Sequence, residues 1–422
     1  MKQSATLATQ LAEAARIVAR VAAGRSLSGE IGRLSELDSR AALIDFTHGT
    51  LRRYGRVHAI VDRLSRRGRP DSQVEALLWC ALYALEAARY PEHTVVDEAV
   101  KACGLIERWP AKGYVNALLR SFLRQRSALE AQLSAEPEAA YQHPAWWIEL
   151  ARAAYPGDWQ TVLGAGNDHP PMALRVNRRR TGVEGYAARL VEQGVAARRL
   201  GDEALLLERP LPVERVPGFA AGEVSVQDAG AQRAAHCLDL DAGQRVLDAC
   251  AAPGGKSAHI LELADVELTA LDIDAARAAR IAPNLERLGL RARVDIGDAS
   301  RPEGWWDGRP FDRILADVPC SASGIARRHP DVKWLRRAAD VAAFAERQHA
   351  ILEALWRVLA PGGKLLYATC SIFPQENEAV VERFAAGEPT ALRRPSADGA
   401  APQWLPNNEH DGFYYALIAK RA

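Results

Sequence analysis

The stretch RVLDACAAPGGKSAHI, residues 245–260, decides the fold of this chain. An apolar run ends at Asp248, a turn with Pro253, Gly254 and Gly255 follows, and a helical pattern begins at Lys256. Proline fixes φ in such a turn, and glycine lets the backbone approach a ligand closely. A strand, a glycine turn and a helix in this order predict the ligand loop of an open α/β sheet.

Strand and helix patterns alternate from about residue 224 to the C-terminus, which is typical of a doubly wound α/β sheet. We predict strands near residues 245–249, 267–272, 292–296, 311–317, 363–369 and 412–419. We predict helices near residues 256–264, 274–288, 339–359 and 375–385.

Two cysteines directly follow predicted strands. Cys320 lies in DVPCS, residues 317–321, and Cys370 lies in TCS, residues 369–371. The carboxyl ends of parallel strands surround the ligand crevice of an α/β sheet. Both thiols and the glycine turn are therefore expected to converge at that edge.

Acidic residues close the strands that follow the glycine turn. Asp272 ends the second strand, where a carboxylate binds ribose hydroxyls in nucleotide-binding sheets. Asp298 follows the third strand and is a candidate acceptor for an adenine amino group. This pattern predicts a ligand that resembles a nucleotide.

Two other interpretations of the glycine turn exist. A P-loop requires a glycine five positions before Gly255, where this chain has Cys250, and the G-x-G-x-x-G dinucleotide motif is absent. The glycines could also serve only a tight turn. Asp272 and Asp298 at the following strand ends count against that simpler interpretation.

The region before residue 140 has helical periodicity and almost no strand pattern. Apolar residues form one face from Leu7 to Ala22 and another from Val74 to Leu85. A mixed segment follows the prolines at 137 and 144, with helix-like stretches at 146–154 and 183–194 and a strand-like stretch at 172–176. We therefore predict three domains: a helical bundle over residues 1–140, a small α+β linker over 141–223, and an α/β domain over 224–422.

The composition is that of an ordinary globular protein, with 422 residues, 48% hydrophobic and 25% charged residues, and a net charge of +1. The apolar runs are too short for a membrane span, and the N-terminus lacks a signal-peptide core. The six cysteines and ten histidines show no metal-ligand spacing, and the cysteines are too few for a disulfide scaffold. We therefore expect a cytoplasmic protein without a catalytic metal.

Basic residues cluster in three places, and such clusters are the electrostatic footprint of nucleic-acid binding. The alternative is that the arginines only solvate helix surfaces. The clusters are Arg52, Arg53, Arg56, Arg63, Arg66, Arg67 and Arg69; Arg175, Arg178, Arg179 and Arg180; and Arg327, Arg328, His329 and Lys333 after the Cys320 loop.

Three motifs in order resemble the Nop/Sun family of RNA 5-methylcytosine methyltransferases. They are DACAAPGGK at 248–256, DVPCSASG at 317–324 and YATCS at 367–371. DAGAQ at 228–232, RRHPD at 327–331 and PQEN at 374–377 add to the match, and VNALLR at 115–120 is similar to the antitermination factor NusB. The chain has Val318 where many relatives have alanine, which is a conservative departure.

The resemblance implies a multidomain fold: an all-α NusB-like N-terminal bundle, a small α+β linker domain and a C-terminal α/β Rossmann-like class I methyltransferase fold. It also implies S-adenosyl-L-methionine as the cofactor. The expected cofactor-binding residues are Cys250, Ala251, Ala252, Pro253, Gly254, Gly255, Lys256, Asp272, Asp298 and Asp317.

The same resemblance implies roles for the catalytic residues. C5 of cytosine is too weak a nucleophile to take a methyl group directly, so a thiolate must first add to C6. The resemblance implies Cys370 as that nucleophile and Cys320 as the thiol that assists breakdown of the adduct. Asp317 is expected to hydrogen-bond N3 of the ring. Lys256 either orients the base or supports the loop, and a basic neighbour of this kind is a candidate to lower the pKa of Cys370.

The implied partner is small-subunit ribosomal RNA, bound by a monomer before ribosome assembly is complete, with the helical domain and basic clusters supplying affinity. Two alternatives stay open. A non-catalytic RNA-binding assembly factor would not need both cysteines, Asp317 and the whole glycine turn. A DNA cytosine-C5 methyltransferase would need neither a second Thr-Cys-Ser thiol nor a NusB-like domain.

Overall fold

The computed structural model describes residues 6–33, 40–65, 68–395 and 399–422. By compactness the chain divides into two units. The first comprises Met1–Asp168 and Ala326–Ala338, and the second comprises His169–Ile325 and Ala339–Ala422. The division into three domains at residues 140 and 223 stays a prediction.

The first unit is helical, as its periodicity predicts. The central helix α5 is buried without interruption from Val74 to Leu85, and the helices α1, α3, α4, α6 and α7 pack against it. The predicted face of α1 is buried at Leu11, Ala15 and Val18. The helices before residue 169 are α1 (Leu7–Ala22), α2 (Leu27–Gly32), α3 (Arg40–Arg52), α4 (Tyr54–Leu64), α5 (Ser72–Ala87), α6 (Glu92–Leu105), α7 (Lys112–Leu133), α8 (Pro137–Tyr141), α9 (Ala145–Ala154) and α10 (Trp159–Ala165).

The second unit begins with a small antiparallel sheet in the order β2-β3-β1-β4. Its apolar side packs on the helix α11, where Tyr186 and Leu190 are buried against Leu174 and Val176. The elements are β1 (Met172–Val176), α11 (Val183–Glu192), β2 (Ala197–Arg199), β3 (Ala204–Leu207) and β4 (Val224–Val226). Only β1 and α11 were predicted, since the other strands are too short to show a period.

The remainder of the second unit is an eight-stranded sheet in the order β10-β12-β9-β8-β5-β6-β7, with β11 paired to β12. Strands β5 to β9 are parallel, and β12 runs antiparallel beside β9. The strands are β5 (Arg245–Ala249), β6 (Glu267–Asp272), β7 (Arg293–Ile296), β8 (Phe311–Asp317), β9 (Leu359–Thr369), β10 (Ala391–Arg394), β11 (Gln403–Trp404) and β12 (Phe413–Lys420). The strand order reverses between β5 and β8, and a ligand crevice opens at such a switch point.

The helices that follow the small sheet match the predicted pattern with two differences. They are α12 (Ala229–Cys237), α13 (Gly255–Leu263), α14 (Ala275–Ala278), α15 (Ile281–Leu288), α16 (Val332–Leu335), α17 (Ala338–Val358) and α18 (Glu378–Gly387). The predicted helix 274–288 is broken because Pro283 has no N–H and its ring conflicts with the carbonyl four residues earlier. The predicted helix 375–385 begins later, since Asn377 leaves the helical region with φ −118° and ψ −102°.

The segment Ala326–Ala338 follows the Cys320 loop but belongs to the first unit. The buried ammonium of Lys333 donates to the carbonyls of Arg52 at 3.1 Å and Gln142 at 2.9 Å, and to Asn167 Oδ1 at 2.8 Å. Burial lowers the pKa of Lys333 well below its ordinary value. Arg327 is also buried, and its carbonyl accepts both guanidinium donors of Arg52.

The prediction that Lys333 and Arg327 hold RNA phosphates is therefore wrong, because both side chains are buried and the Lys333 ammonium is bonded within the helical unit. Arg328 and His329 are only partly buried. Among the described helices, none combines the length and apolar character needed to cross a bilayer.

Candidate active site

The predicted site residues lie at the carboxyl edge of the large sheet, within the second unit. Asp248 lies on β5, Asp272 ends β6 and Asp317 ends β8. Cys370 directly follows β9. The N–H of Gly297 donates to the carbonyl of Asp272 at 3.1 Å, which places the Asp298 loop beside β6.

The glycine turn is held by its own backbone. Cys250 adopts φ +65° and Gly254 adopts φ +93°, a region that glycine enters without strain. A Cβ on Gly254 would lie 3.1 Å from Ile281 Cγ2, so helix α15 packs closely against the turn. The N–H of Ala251 donates to Leu271 O at 2.8 Å, which fastens the turn to β6.

Asp272 has a role that sequence reasoning missed. Its Oδ2 accepts the N–H of Ala252 at 3.0 Å and lies 3.5 Å from the guanidinium of Arg277, while its Oδ1 accepts the N–H of Asp274 at 3.0 Å. The carboxylate is only 2% exposed. It therefore anchors the glycine turn. Its remaining lone pairs can still accept hydrogen bonds from a ligand.

Asp248 is a site residue that the sequence analysis did not identify. A charged residue inside an apolar strand is the pattern that could have indicated it. Its Oδ2 accepts the hydroxyl of Ser257, and within the described residues its Oδ1 has no hydrogen-bond partner. Burial, reinforced by the nearby Asp317 carboxylate, raises the pKa of Asp248 to about 7. Asp298 instead accepts two hydrogen bonds from Ser300, which outweigh its partial burial and lower its pKa.

Lys256 and Asp317 form an ion pair, with Nζ 2.6 Å from Oδ2. Burial opposes the charge on Lys256, but the Asp317 carboxylate outweighs burial and raises the pKa of the ammonium. Lys256 Nζ also lies 5.8 Å from the ring centroid of Phe413. The ammonium is thus directed at Asp317, so the structure favours a role in the charge balance of the site.

The two thiols meet. Cys320 Sγ lies 3.3 Å from Cys370 Sγ, with Cys320 buried and Cys370 partly exposed. The hydrogen bond with Cys370, followed by burial, raises the pKa of Cys320 well above its ordinary value. Burial likewise raises the pKa of Cys250 to about 12, which leaves that thiol protonated and unreactive at neutral pH.

The remaining cysteines, Cys80, Cys103 and Cys237, form no disulfide among the described residues and are buried, in agreement with a packing role. Sequence reasoning also missed a group of hydroxyls and one carboxyl, Glu376, around the two reactive thiols.

Potential metal ligands come together in two places among the described residues, although the spacing of the histidines in the sequence did not predict either group. Glu203, His236 and His259 form one group, and His58, Asp62 and Glu75 form the other. In the first group Glu203 Oε1 accepts from the Nε2 atoms of both imidazoles, so hydrogen bonds suffice to explain the arrangement. The absence of a catalytic metal stays a prediction.

The basic clusters divide into buried and surface residues. Arg175 is fully buried and forms a bidentate ion pair with Glu262 at 2.7 and 2.8 Å, so the prediction that it contacts RNA is wrong. Arg178 is exposed, and Arg179 pairs with Asp265 at 2.7 Å.

In the first unit, carboxylates neutralise much of the Arg52–Arg69 cluster. Arg53 and Arg56 pair with Glu86, Arg63 pairs with Glu136, and Arg69 pairs with Asp62. Arg66 and Arg67 lie outside the described residues. For most of that cluster, this pairing favours the interpretation that the arginines only solvate helix surfaces, since a paired guanidinium is a weaker phosphate ligand.

Three family models match the chain in succession. The model of the NusB family matches residues 12–124, that of the RsmF/B-like ferredoxin-like domain matches 143–214, and that of the 16S rRNA methyltransferase RsmB/F matches 235–419.

Curated relatives cover nearly the whole chain. A ribosomal RNA small subunit methyltransferase B from Vibrio cholerae is 44% identical over 389 residues, which is 90% of this chain and 89% of the relative. One from Klebsiella pneumoniae is 42% identical over 432 residues and covers all of both chains.

The crystal structure of PH0851 has the same fold, with a TM-score of 0.81 at 23% identity over 99% of this chain and 100% of that one. The predicted fold class is confirmed: a NusB-like helical domain, a small ferredoxin-like linker and a Rossmann-like methyltransferase domain. With relatives above 40% identity along its length, the chain belongs to the 16S rRNA methyltransferase RsmB/F family.

Proposed function

We propose that this protein transfers a methyl group from S-adenosyl-L-methionine to C5 of one cytidine in 16S ribosomal RNA, through a covalent bond between a cysteine and C6. The observation that carries the proposal is the 3.3 Å contact between Cys320 Sγ and Cys370 Sγ at the sheet edge that also holds the glycine turn. A methyl transfer to nitrogen or oxygen does not require a thiol, whereas attack from cytosine C5 does.

The proposed reaction uses the two thiols in sequence. Cys370 adds to C6, which makes C5 electron-rich enough to take the methyl group. The C5 proton then leaves to a base, and the bond between Cys370 Sγ and C6 breaks to restore the aromatic ring. Cys320, within hydrogen-bond distance of Cys370 Sγ, assists this last step. The partly exposed position of Cys370 suits the thiol that must reach the base.

Asp317 is proposed to hydrogen-bond N3 of the base with a proton shared with the ring, which stabilises the charge that develops during attack. Its partner Lys256, 2.6 Å away, keeps the pair close to neutral overall. This assignment gives Lys256 a role in charge balance and gives Asp317 contact with both the base and the cofactor.

The carboxyl edge fits the proposed cofactor. When bound, S-adenosyl-L-methionine supplies an electrophilic methyl group on a cationic sulfonium. Acceptors for the positive charge and the hydroxyl donors of such a molecule are the carboxylates at the ends of β6 and β8 and Asp248 Oδ1, which has no partner in the part of the chain that the structure describes. We therefore propose that residues 250–256 with Asp272, Asp298 and Asp317 bind it.

The RNA substrate is proposed from the family and the relatives. The curated relatives are named ribosomal RNA small subunit methyltransferase B, and we propose the same substrate here, taken up before assembly is complete. We further propose that the chain acts as a monomer in the cytoplasm, that residues 1–140 and 141–223 form RNA-binding domains, and that residues 224–422 form the methyltransferase domain.

The test is methyl transfer from labelled S-adenosyl-L-methionine to three substrates: unmodified 16S ribosomal RNA, transfer RNA and duplex DNA. We expect label in 16S RNA alone, and 5-methylcytidine as the labelled nucleoside by mass spectrometry. Label in duplex DNA would favour the DNA methyltransferase alternative. Cofactor binding without transfer to any of the three would favour the non-catalytic assembly factor.

A further inference from the structure

A single buried carboxyl group connects the two cysteine loops. Glu376 is fully buried in the turn that follows Cys370. Its Oε1 accepts the N–H of Ser321, the residue after Cys320, at 2.7 Å. Its Oε2 accepts the hydroxyl of Ser371, the residue after Cys370, at 2.6 Å. One side chain is therefore bonded to the immediate neighbour of each thiol.

Hydroxyl groups complete the connection. Ser321 Oγ lies 3.2 Å from Ser371 Oγ, and Ser323 Oγ lies 3.0 Å from it. Ser323 Oγ also accepts the N–H of Ile372 at 2.8 Å, and the N–H of Gly324 donates to Cys370 O at 2.8 Å. The two loops are thus joined by side chains and backbone at several points.

Residues on helix α17 and strand β9 hold Glu376 in place. Gln348 on α17 donates to Glu376 Oε1 at 3.2 Å and accepts the hydroxyl of Tyr367 at 3.1 Å. That hydroxyl also lies 2.6 Å from the carbonyl of Glu376. A buried network whose members all have partners is rigid and fixes one geometry.

We propose that Glu376 is a positioning residue, which holds the two cysteine loops at the separation that lets one thiol attack the base while the other stands ready to assist release. The proposal rests on the function proposed above for the thiols. It assigns no contact between Glu376 and the substrate.

Glu376 is one of several groups that act on Cys320, and its effect on the pKa of that thiol is smaller than the effects of Cys370 and of burial. The groups that act on Cys320 are Cys370, which shares a hydrogen bond with it, the Glu376 carboxyl and the buried Tyr367 hydroxyl, with an opposing N–H from Ala322. The hydrogen bond to Cys370 and burial raise the pKa of Cys320 most, and Glu376 raises it further.

The test compares Glu376→Gln with Glu378→Gln in the full-length protein. Glu378 is a matched control, because its carboxylate pairs with Arg393 and Tyr414 and is bonded to neither cysteine loop. The first readout is the rate at which diamide joins Cys320 to Cys370. In that reaction the two thiols lose two protons and two electrons to the diazene, and mass spectrometry counts the two lost hydrogens. The second readout is single-turnover methyl transfer at saturating RNA and cofactor.

We expect Glu376→Gln to slow disulfide formation about tenfold and methyl transfer about 10- to 100-fold, as for a lost charge-assisted hydrogen bond in a closed network. KM for RNA, measured from steady-state rates at varied RNA concentration, should stay within about twofold, and Glu378→Gln should change neither of the two rates by more than that. Thermal unfolding of both variants checks that they are folded at the assay temperature.

The outcomes separate this proposal from the proposed function. A disulfide rate in Glu376→Gln equal to that of the unmodified protein overturns the positioning role, whatever happens to methyl transfer. A slower disulfide rate with unchanged methyl transfer supports the positioning role and contradicts the proposed use of the two thiols. Slowing of both rates supports both.

Discussion

The two halves of the carboxyl edge are built differently. At β5, β6 and β7 the acidic side chains bond mainly to backbone N–H groups or hydroxyls of nearby turns, and Asp248 Oδ1 is left without a partner among the described residues. At β8 and β9 the hydroxyls and Glu376 bond to one another across two loops. The half proposed to bind a ligand keeps spare hydrogen-bonding capacity. In the half proposed to perform covalent chemistry, the hydrogen-bonding groups are bonded to one another, which fixes the distance between Cys320 Sγ and Cys370 Sγ.

Replacing Asp317, which lies where the two halves meet, should have the largest effect on methyl transfer. Replacing Asp317 by alanine leaves the Lys256 ammonium without its 2.6 Å partner and removes the proposed contact to N3. We expect single-turnover methyl transfer to fall about 10²- to 10³-fold, the range for a lost electrostatic contact in a closed site. Asp317→Asn, which keeps a donor and the size, should retain more activity. A rate near that of the unmodified protein in Asp317→Ala would remove Asp317 from the chemistry.

The ligand-binding half is tested by Asp272→Ala. Loss of the acceptor for the N–H groups of Ala252 and Asp274 should loosen the glycine turn, and cofactor affinity should fall about 10- to 100-fold by calorimetry. Asp274→Ala is the matched control, because its carboxylate only caps helix α14. Equal affinity of the two variants would place the cofactor elsewhere.

Asp248 should make stability depend on pH. Burial raises its pKa to about 7, so between about pH 4 and pH 7 the folded protein holds a proton that the unfolded chain has lost. Its contribution to stability is therefore present at low pH and falls by about 1.4 kcal/mol for each pH unit as pH rises through this window. Asp248→Asn should remove that slope in denaturant unfolding. Parallel stability curves for the two proteins would show that Asp248 does not titrate in this window.

The smallest effect concerns RNA affinity. Arg178 is exposed, whereas Arg199 in the same unit pairs with Glu184 at 2.6 Å. Arg178→Ala should weaken RNA binding a few-fold and reduce the slope of log affinity against log salt by about 1, as expected for one lost phosphate contact. Arg199→Ala should change the slope little. Identical slopes for both variants would move the RNA contact away from Arg178.

Periodicity and turn chemistry sufficed to predict most of the fold. The five parallel strands, the position of the glycine turn and the buried face of α1 follow from local patterns. The strands β2, β3, β4, β10 and β11 did not, because they have only two to four residues each and pair antiparallel, outside the alternation of strands and helices that indicated the four-residue β7. The motifs placed Cys320, Cys370 and Asp317 at the correct edge, since the carboxyl ends of parallel strands always share that edge.

Contacts between distant residues could not be predicted. Arg175 and Lys333 look like phosphate ligands in sequence, yet their partners lie 87 positions away at Glu262 and 166 positions away at Asn167. Glu376 was visible only as one letter of a motif, because its role depends on two serines brought together by the sheet. The exposure of a charged side chain is decided by tertiary packing, which no local pattern contains.

The central claim is that Cys370 attacks the base and Cys320 assists release, and trapping of the covalent adduct tests it most directly. Each cysteine is replaced by alanine, the variants are incubated with 16S RNA and S-adenosyl-L-methionine, and the products are separated on a denaturing gel. We predict a slowly migrating protein–RNA band for Cys320→Ala, which forms the covalent adduct but cannot release the RNA. We predict no such band for Cys370→Ala. A slow band for Cys370→Ala and none for Cys320→Ala would contradict the account and make Cys320 the nucleophile.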